Sequence, residues 1–265
     1  MIIRIGYIPY LNMVPFQQGF GPEPLEIDQR QFEFKTLSPR DLGINAGEGT
    51  IDAGALSLVD FLRVFPSFEP ISRFGVGVRR ASKSVLFFSK QPIAAFSGTC
   101  AVSEETSTSF RLLQLLLSVR YQRPNVQYGR IASHQTFDGE ADGVLLIGDE
   151  ALRAKQKGIP GLPCVTDLGE EWYFWQGVPF VFARWAVRQG LPQMVKDTIE
   201  TSVESSLKSI IYNKKDVALQ ESAKRGFDPA FIENYWNGFC YRLNEDHQES
   251  IRRFSELLEE QCLIG

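Results

Sequence analysis

Ile2-Ile3-Arg4-Ile5-Gly6-Tyr7-Ile8-Pro9-Tyr10-Leu11-Asn12 opens the chain as an apolar, β-branched strand that proline stops, leaving polar side chains just past its end. Open α/β sheets bind ligands beyond the carboxyl ends of their strands, so this break is a first place to look for chemistry. Further along, Phe32 to Leu37 alternates like a strand, and Ser38-Pro39 with Asp41 reads as the capped start of a helix. Asp52 to Leu56 is a short buried strand and Leu58 to Val64 a short helix, which predicts a parallel sheet with right-handed crossovers. Ser84 to Phe88 leaves this first set, and Thr99 to Val102 begins a second. Thr106-Ser107-Thr108-Ser109 precedes a helix over Phe110 to Tyr121, with Phe110, Leu113, Leu117 and Tyr121 along one face. Gly143 to Ile147 is a continuous apolar strand, Asp149 opens the helix behind it, and Pro179 to Ala183 is again strand-like. From Gly190 the pattern is helical: Val195, Ile199, Val203 and Leu207 recur every four residues. Asp228-Pro229 and Asn244 are cap signals, and Ile251, Phe254 and Leu258 mark a last amphipathic helix.

A chain of 265 residues exceeds what one hydrophobic core usually holds, so two lobes or one large α/β domain are expected. With 43% hydrophobic and 23% charged residues, disorder and disulfide miniproteins are excluded. A net charge of −4 speaks against a nucleic-acid partner. Cys100, Cys164, Cys240 and Cys262 are too scattered for a metal or redox motif, and His134 and His247 are the only histidines. Reduced cysteines, mostly packed in cores, and no metal site are expected. No signal-like segment and no run of 18 apolar residues occurs, so the expectation is a cytoplasmic protein with no membrane partner.

Three segments place polar groups at strand ends. Asn12 carries an amide that donates and accepts, with a helix N-cap as the bland alternative. Thr106 to Ser109 offers several hydroxyls beside free backbone N–H groups, a neutral anion cradle, although a cap alone would need one of them. Ala81-Ser82-Lys83-Ser84 begins the strand that leaves the first lobe. There Arg79, Arg80 and Lys83 read by default as an exposed charged turn. Asp149 is expected to cap its helix, and Glu170-Glu171 to be solvated. Phosphate-loop, dinucleotide, nucleophile-elbow and zinc-protease motifs are all missing.

Six motifs in order carry a family resemblance: Tyr10-Leu11-Asn12-x-x-Pro15; the Gly75-to-Ser89 stretch with Ser84-Val85-Leu86; Thr106-x-Thr108-Ser109; Leu146-Ile147-Gly148-Asp149-x-Ala151-Leu152; Asp167-Leu168-Gly169-x-x-Trp172; and Gly177-Val178-Pro179-Phe180-Val181-Phe182-Ala183-x-Trp185. Together, from about residue 2 to 187, they resemble the chorismate dehydratase family of the futalosine route to menaquinone. The resemblance implies a two-lobe, type II periplasmic-binding-protein-like α/β fold with central mixed sheets, two crossing strands and a helical C-terminal tail. Residues 1–89 with 178–265 would form the first lobe and 90–177 the second, with chorismate between them. It implies a cofactor-free hydro-lyase yielding 3-[(1-carboxyvinyl)oxy]benzoate and water, with Asn12 and Ser84 catalytic. Tyr10, Leu11, Ser82, Val85, Ser107, Thr108, Ser109, Asp149, Gln176 and Pro179 would bind substrate. Gln176 stands where many relatives have threonine. A small-anion solute-binding protein and the sister 1,4-dihydroxy-6-naphthoate synthase are the alternatives; the sister's first-strand motif is of the Ser-Pro-Cys-Pro-Asn-Asp-Thr type, unlike Ile8 to Asn12.

Overall fold

The structure, a computed structural model, describes residues 2–20, 25–27, 30–132 and 139–264, so His134 lies outside the described residues. In chain order the first elements are β1 (Ile2–Tyr7), β2 (Leu25–Ile27), β3 (Arg30–Thr36), α1 (Pro39–Gly47), β4 (Ala53–Ser57), α2 (Leu58–Val64), β5 (Phe68–Val78), β6 (Val85–Ser89), β7 (Thr99–Ser103) and α3 (Thr108–Leu115). There follow β8 (Gln127–Ile131), β9 (Gly143–Ile147), α4 (Gly148–Lys157), β10 (Cys164–Asp167), α5 (Leu168–Gln176), β11 (Val181–Arg188), α6 (Gln193–Arg225), α7 (Pro229–Trp236), β12 (Phe239–Arg242) and α8 (Glu245–Glu260).

The chain forms two compact units, Met1–Gly77 with Ala183–Asn244 and Val78–Phe182 with Glu245–Gly265. The expected division at 89/90 and 177/178 gave 78–89 and the whole C-terminal tail to the first lobe. In the structure β6 pairs with β9 and β10 of the second unit. Helix α8 joins that unit too, because Phe254 packs edge-on against Trp172 and Phe180, with centroids 5.7 and 5.1 Å apart. The chain passes between units along β5 rather than along the expected Ser84-to-Phe88 strand, returns along β11, and passes a third time at Asn244–Glu245.

The first unit holds a seven-stranded sheet of order β12-β5-β11-β4-β1-β3-β2. β1 lies parallel to β3 and to β4, setting Ile5 opposite Phe34 and Ala53. β11 runs antiparallel to β4, and β2 to β3, so the sheet is mixed rather than wholly parallel. β5 escapes a sequence reading because Pro70, Gly75, Gly77 and a left-handed Ser72 (φ 48°) interrupt its alternation. Local signals are obeyed where they are strong. Asp41 N–H donates to Ser38 Oγ at 3.1 Å, Phe231 N–H to Asp228 Oδ1 at 3.0 Å, and Val195, Ile199, Val203 and Leu207 are all buried along α6.

The second unit holds a five-stranded sheet of order β10-β6-β9-β7-β8. β7 is parallel to β8 and β9, while β6 is antiparallel to β9 and β10. Leu86 and Phe88 of β6 and Val144 and Leu146 of β9 bury one face against Ala151, Ala154 and Leu162. Each large apolar side chain buried on that face contributes about 1.5–3 kcal/mol.

Candidate functional site

Beyond β1, the chain turns into a short 3-10 helix over Leu11–Phe16 with Tyr10 at its N-cap. Asn12 is therefore inside the helix, and the capping alternative fails. Three side chains from far along the chain grip the carbonyls of this turn. Arg225 Nη1 donates to Pro9 O at 2.9 Å, Trp236 Nε1 to Leu11 O at 2.7 Å, and the Tyr241 hydroxyl to Asn12 O at 3.0 Å. Arg225 is itself braced by Glu221 at 2.7 Å. Burial pushes the Glu221 carboxyl up, but Lys224 and Arg225 outweigh it and hold it below the usual range. Leu11 is 0% exposed, so its side chain is core rather than a ligand contact, and Tyr10 is half-buried. With its backbone pinned, Asn12 keeps a buried Oδ1 that meets no hydrogen-bond partner among the described residues. An unmet buried acceptor costs about 1–3 kcal/mol, which a ligand hydroxyl would recover.

A cavity of about 320 Å³ lies against β1, β3 and β11, lined by Tyr7, Met13, Phe16, Gln17, Phe34 and Trp185 among others. It includes none of the predicted site residues.

In the second unit, the Ser82–Ser84 turn is held by a residue not singled out for it. Asp167 Oδ1 accepts from Ser82 N–H at 2.9 Å and from Ser82 Oγ at 3.0 Å, and Oδ2 accepts from Lys83 N–H at 2.6 Å. Val85 N–H donates to Ser82 Oγ at 2.9 Å, so Ser82 is a structural clamp, and Val85 is buried. Ser84 is buried at 2% exposure at the head of β6, and its carbonyl accepts from Gly148 N–H at 2.9 Å. Arg79 and Arg80 are exposed, as expected of a charged turn, and Arg80 pairs with Glu170 at 3.0 Å and lies 4.5 Å over Phe174. Glu171, by contrast, is not freely solvated. It pairs with Arg120 at 2.6 Å and accepts from Tyr121, whose phenol burial and that carboxylate push up to about 12.

Thr106, Ser107, Thr108 and Ser109 are all buried at the start of α3. Ser107 is at the N-cap without a side-chain cap bond, so simple capping does not account for it. The sequence shows no arginine in this motif, yet the parallel β7–β8 pairing sets Val102 opposite Arg130. Arg130 Nη1 then donates to Ser103 O at 2.9 Å and Thr106 O at 3.0 Å, with its guanidinium 4.6 Å over Phe110. A positive charge thus stands behind the hydroxyls, and nothing local in the sequence signals it. Asp149 is buried as the second residue of α4, whose N-cap is Ile147, so the expected Asp149 cap is not made. Gln176 ends α5 half-buried, its carbonyl accepting from Arg253 Nη1 at 2.7 Å; Pro179 is half-buried as well.

His247 is buried on α8, and burial holds its imidazole pKa below the ordinary value, with Asp246 opposing the shift. Of the cysteines only Cys100 is buried; Cys164 and Cys240 are intermediate and Cys262 is exposed, so most are not core residues. Among the described residues no group of three His, Cys, Asp or Glu side chains could hold a metal ion, and no helix is long and apolar enough to cross a membrane.

Two α/β units with mixed sheets, entered and left along β5 and β11, define a periplasmic-binding-protein-like protein. A solved protein of Archaeoglobus fulgidus matches with a TM-score of 0.79 at 18% identity, over 99% of this chain and 98% of its own. The alkanesulfonate-binding protein of Xanthomonas axonopodis pv. citri matches with a TM-score of 0.70 at 11% identity, over 100% and 94%. These likenesses concern the fold alone. Within that class, the chain belongs to the menaquinone biosynthesis family, whose model matches residues 3–260. It is 26% identical over 263 residues to the chorismate dehydratase of Thermus thermophilus, covering 94% of this chain and 95% of the relative.

Proposed function

We propose that this chain is a hydro-lyase that converts chorismate to 3-[(1-carboxyvinyl)oxy]benzoate and water. Family membership over residues 3–260 and the Thermus relative support the reaction. The observation that carries the site is Asn12, a pinned residue with an unsatisfied buried amide oxygen. In this reading the C–H bond breaks at the ring carbon bearing the enolpyruvyl ether. Its electrons complete the aromatic ring as the C–O bond to the neighbouring hydroxyl breaks, and the proton and hydroxide leave as water. Aromatisation supplies the drive, and no step calls for a metal or redox cofactor.

Asn12 accepts from a substrate hydroxyl, and Ser84 orients the ring. Thr108 and Ser109, with the N–H groups of α3, hold a carboxylate. Neither amide nor hydroxyl is a base at neutral pH, so a substrate carboxylate takes the proton. A doubly anionic substrate does not cross a bilayer unaided, which goes with a cytoplasmic protein.

Incubating the pure protein with chorismate and following products by chromatography tests this directly. The expected result is one new aromatic product whose formation survives exhaustive chelation. Asn12→Ala and Ser84→Ala should lower kcat by about 10²-fold. Ser109→Ala should weaken binding by about 0.5–1.5 kcal/mol, or up to about 3 for a bond to a charged acceptor. Binding without turnover in the wild type would make the chain a solute-binding protein instead. A folded His247→Ala or His134→Ala variant that binds chorismate but has lost all turnover would make that histidine the base.

A further inference from the structure

We infer that Asp167 is a positioning residue that sets Ser84, an assignment that rests on the dehydratase reading for its catalytic consequence. Asp167 ends β10 and is the N-cap of α5, where its Oδ1 accepts from Gly169 N–H at 3.0 Å and Glu170 N–H at 3.2 Å. A cap needs no more than that. The same carboxylate reaches across 85 positions to the Ser82 N–H and hydroxyl, and across 84 to the Lys83 N–H.

Those last bonds explain a strained backbone. Lys83 has φ 63°, a left-handed conformation unfavourable to a residue with a side chain. In that conformation the N–H groups of Ser82 and Lys83 converge on one anion, the concave arrangement that backbone amides use to bind carboxylates. Asp167 is the anion supplied by the protein itself. Ser84 is the next residue, and its own carbonyl is fixed at 2.9 Å by Gly148 N–H. Ser84 is therefore gripped on both sides, before it through Asp167 and at its carbonyl through the start of α4.

The approach of α5 to this turn is close enough that a side chain at Gly169 would crowd it. A Cβ there would lie 3.2 Å from Arg80 O, Ser82 N and Val78 Cγ2. Helix start, carboxylate and turn thus form one unit of structure, all within the second compact unit.

Asp167→Ser separates the two roles, because serine is a good N-cap but is too short to reach the turn. Two readouts decide. Backbone amide exchange followed by mass spectrometry should accelerate at least about tenfold in peptides covering residues 82–85, with β9 unchanged. Turnover of chorismate should lose about tenfold or more in kcat with KM within about twofold, since positioning fails while binding persists. Asp167→Asn keeps one acceptor oxygen and should fall between Ser and wild type in both readouts. Unchanged exchange at 82–85 in Asp167→Ser overturns the assignment whatever the activity. A wild-type kcat in that variant, or a KM rise with kcat retained, overturns it as well. A wild type that does not turn chorismate over defeats the proposed function separately, and with it the catalytic consequence assigned to Asp167.

Discussion

His247 shares the buried face of α8 with Ser250, Phe254 and Leu258. Its imidazole is held below the ordinary pKa by burial, so the folded protein favours the neutral ring while the unfolded chain takes up a proton near pH 6.5. Stability from this residue is complete above that pH and is lost as pH falls below it toward the folded value, at a slope of at most about 1.4 kcal/mol per pH unit. Urea unfolding should show a lower midpoint at pH 5.5 than at 7.5, and His247→Gln should reduce that difference. An identical pH dependence in wild type and variant would refute the assignment. At this scale the sequence discloses which residues could act, as with Asn12 past the end of β1 and Ser84 at the head of β6. It does not disclose their state. Burial left the Asn12 oxygen unmet and made Leu11 core, and both depend on chain more than 200 positions away.

At the scale of the element, the 3-10 helix at Leu11–Phe16 depends on α6, α7 and β12 for its anchors. Trp236 is 3% exposed, and its indole N–H bond to Leu11 O spans 225 positions. Trp236→Phe keeps most of the ring volume and removes the donor to Leu11 O. Stability should fall by about 0.5–1.5 kcal/mol in denaturant titration. Turnover should fall too, because Asn12 follows directly on the loosened carbonyl. A variant as stable and as active as wild type would show that the anchor is idle. The elements themselves were readable wherever the signal was local. Ser38 caps α1 and Asp228 caps α7 as the sequence indicates. β5 was not readable, because its proline and glycines mask a strand whose partners, β11 on one side and β12 on the other, lie far along the chain.

At the scale of the whole molecule, the allegiance of α8 is the point a linear reading misses. Phe254 is 0% exposed and meets Trp172 and Phe180, both of the second unit. Phe254→Ala should cost about 3–5 kcal/mol through lost contacts and a cavity. Amide exchange should accelerate in β6 and β9 while β1 and β3 keep their protection. Equal loss in β1 and β3 would contradict the division of the chain at Asn244–Glu245.

The family resemblance implied two lobes; by itself the local pattern determined an α/β chain, the strand-end segments with polar side chains, and the helical C-terminal stretch. Those features follow from periodicity, caps and breaks within a few residues, where the competing conformations are few. Only the tertiary structure decided strand direction, the home of α8, the charge of Arg130 behind the α3 hydroxyls, and the grip of Asp167 on Ser82 and Lys83. The physical reason is distance along the chain. A carboxylate that meets an amide 84 positions away leaves no local pattern, because the bond exists only once both sheet strands that carry it have packed.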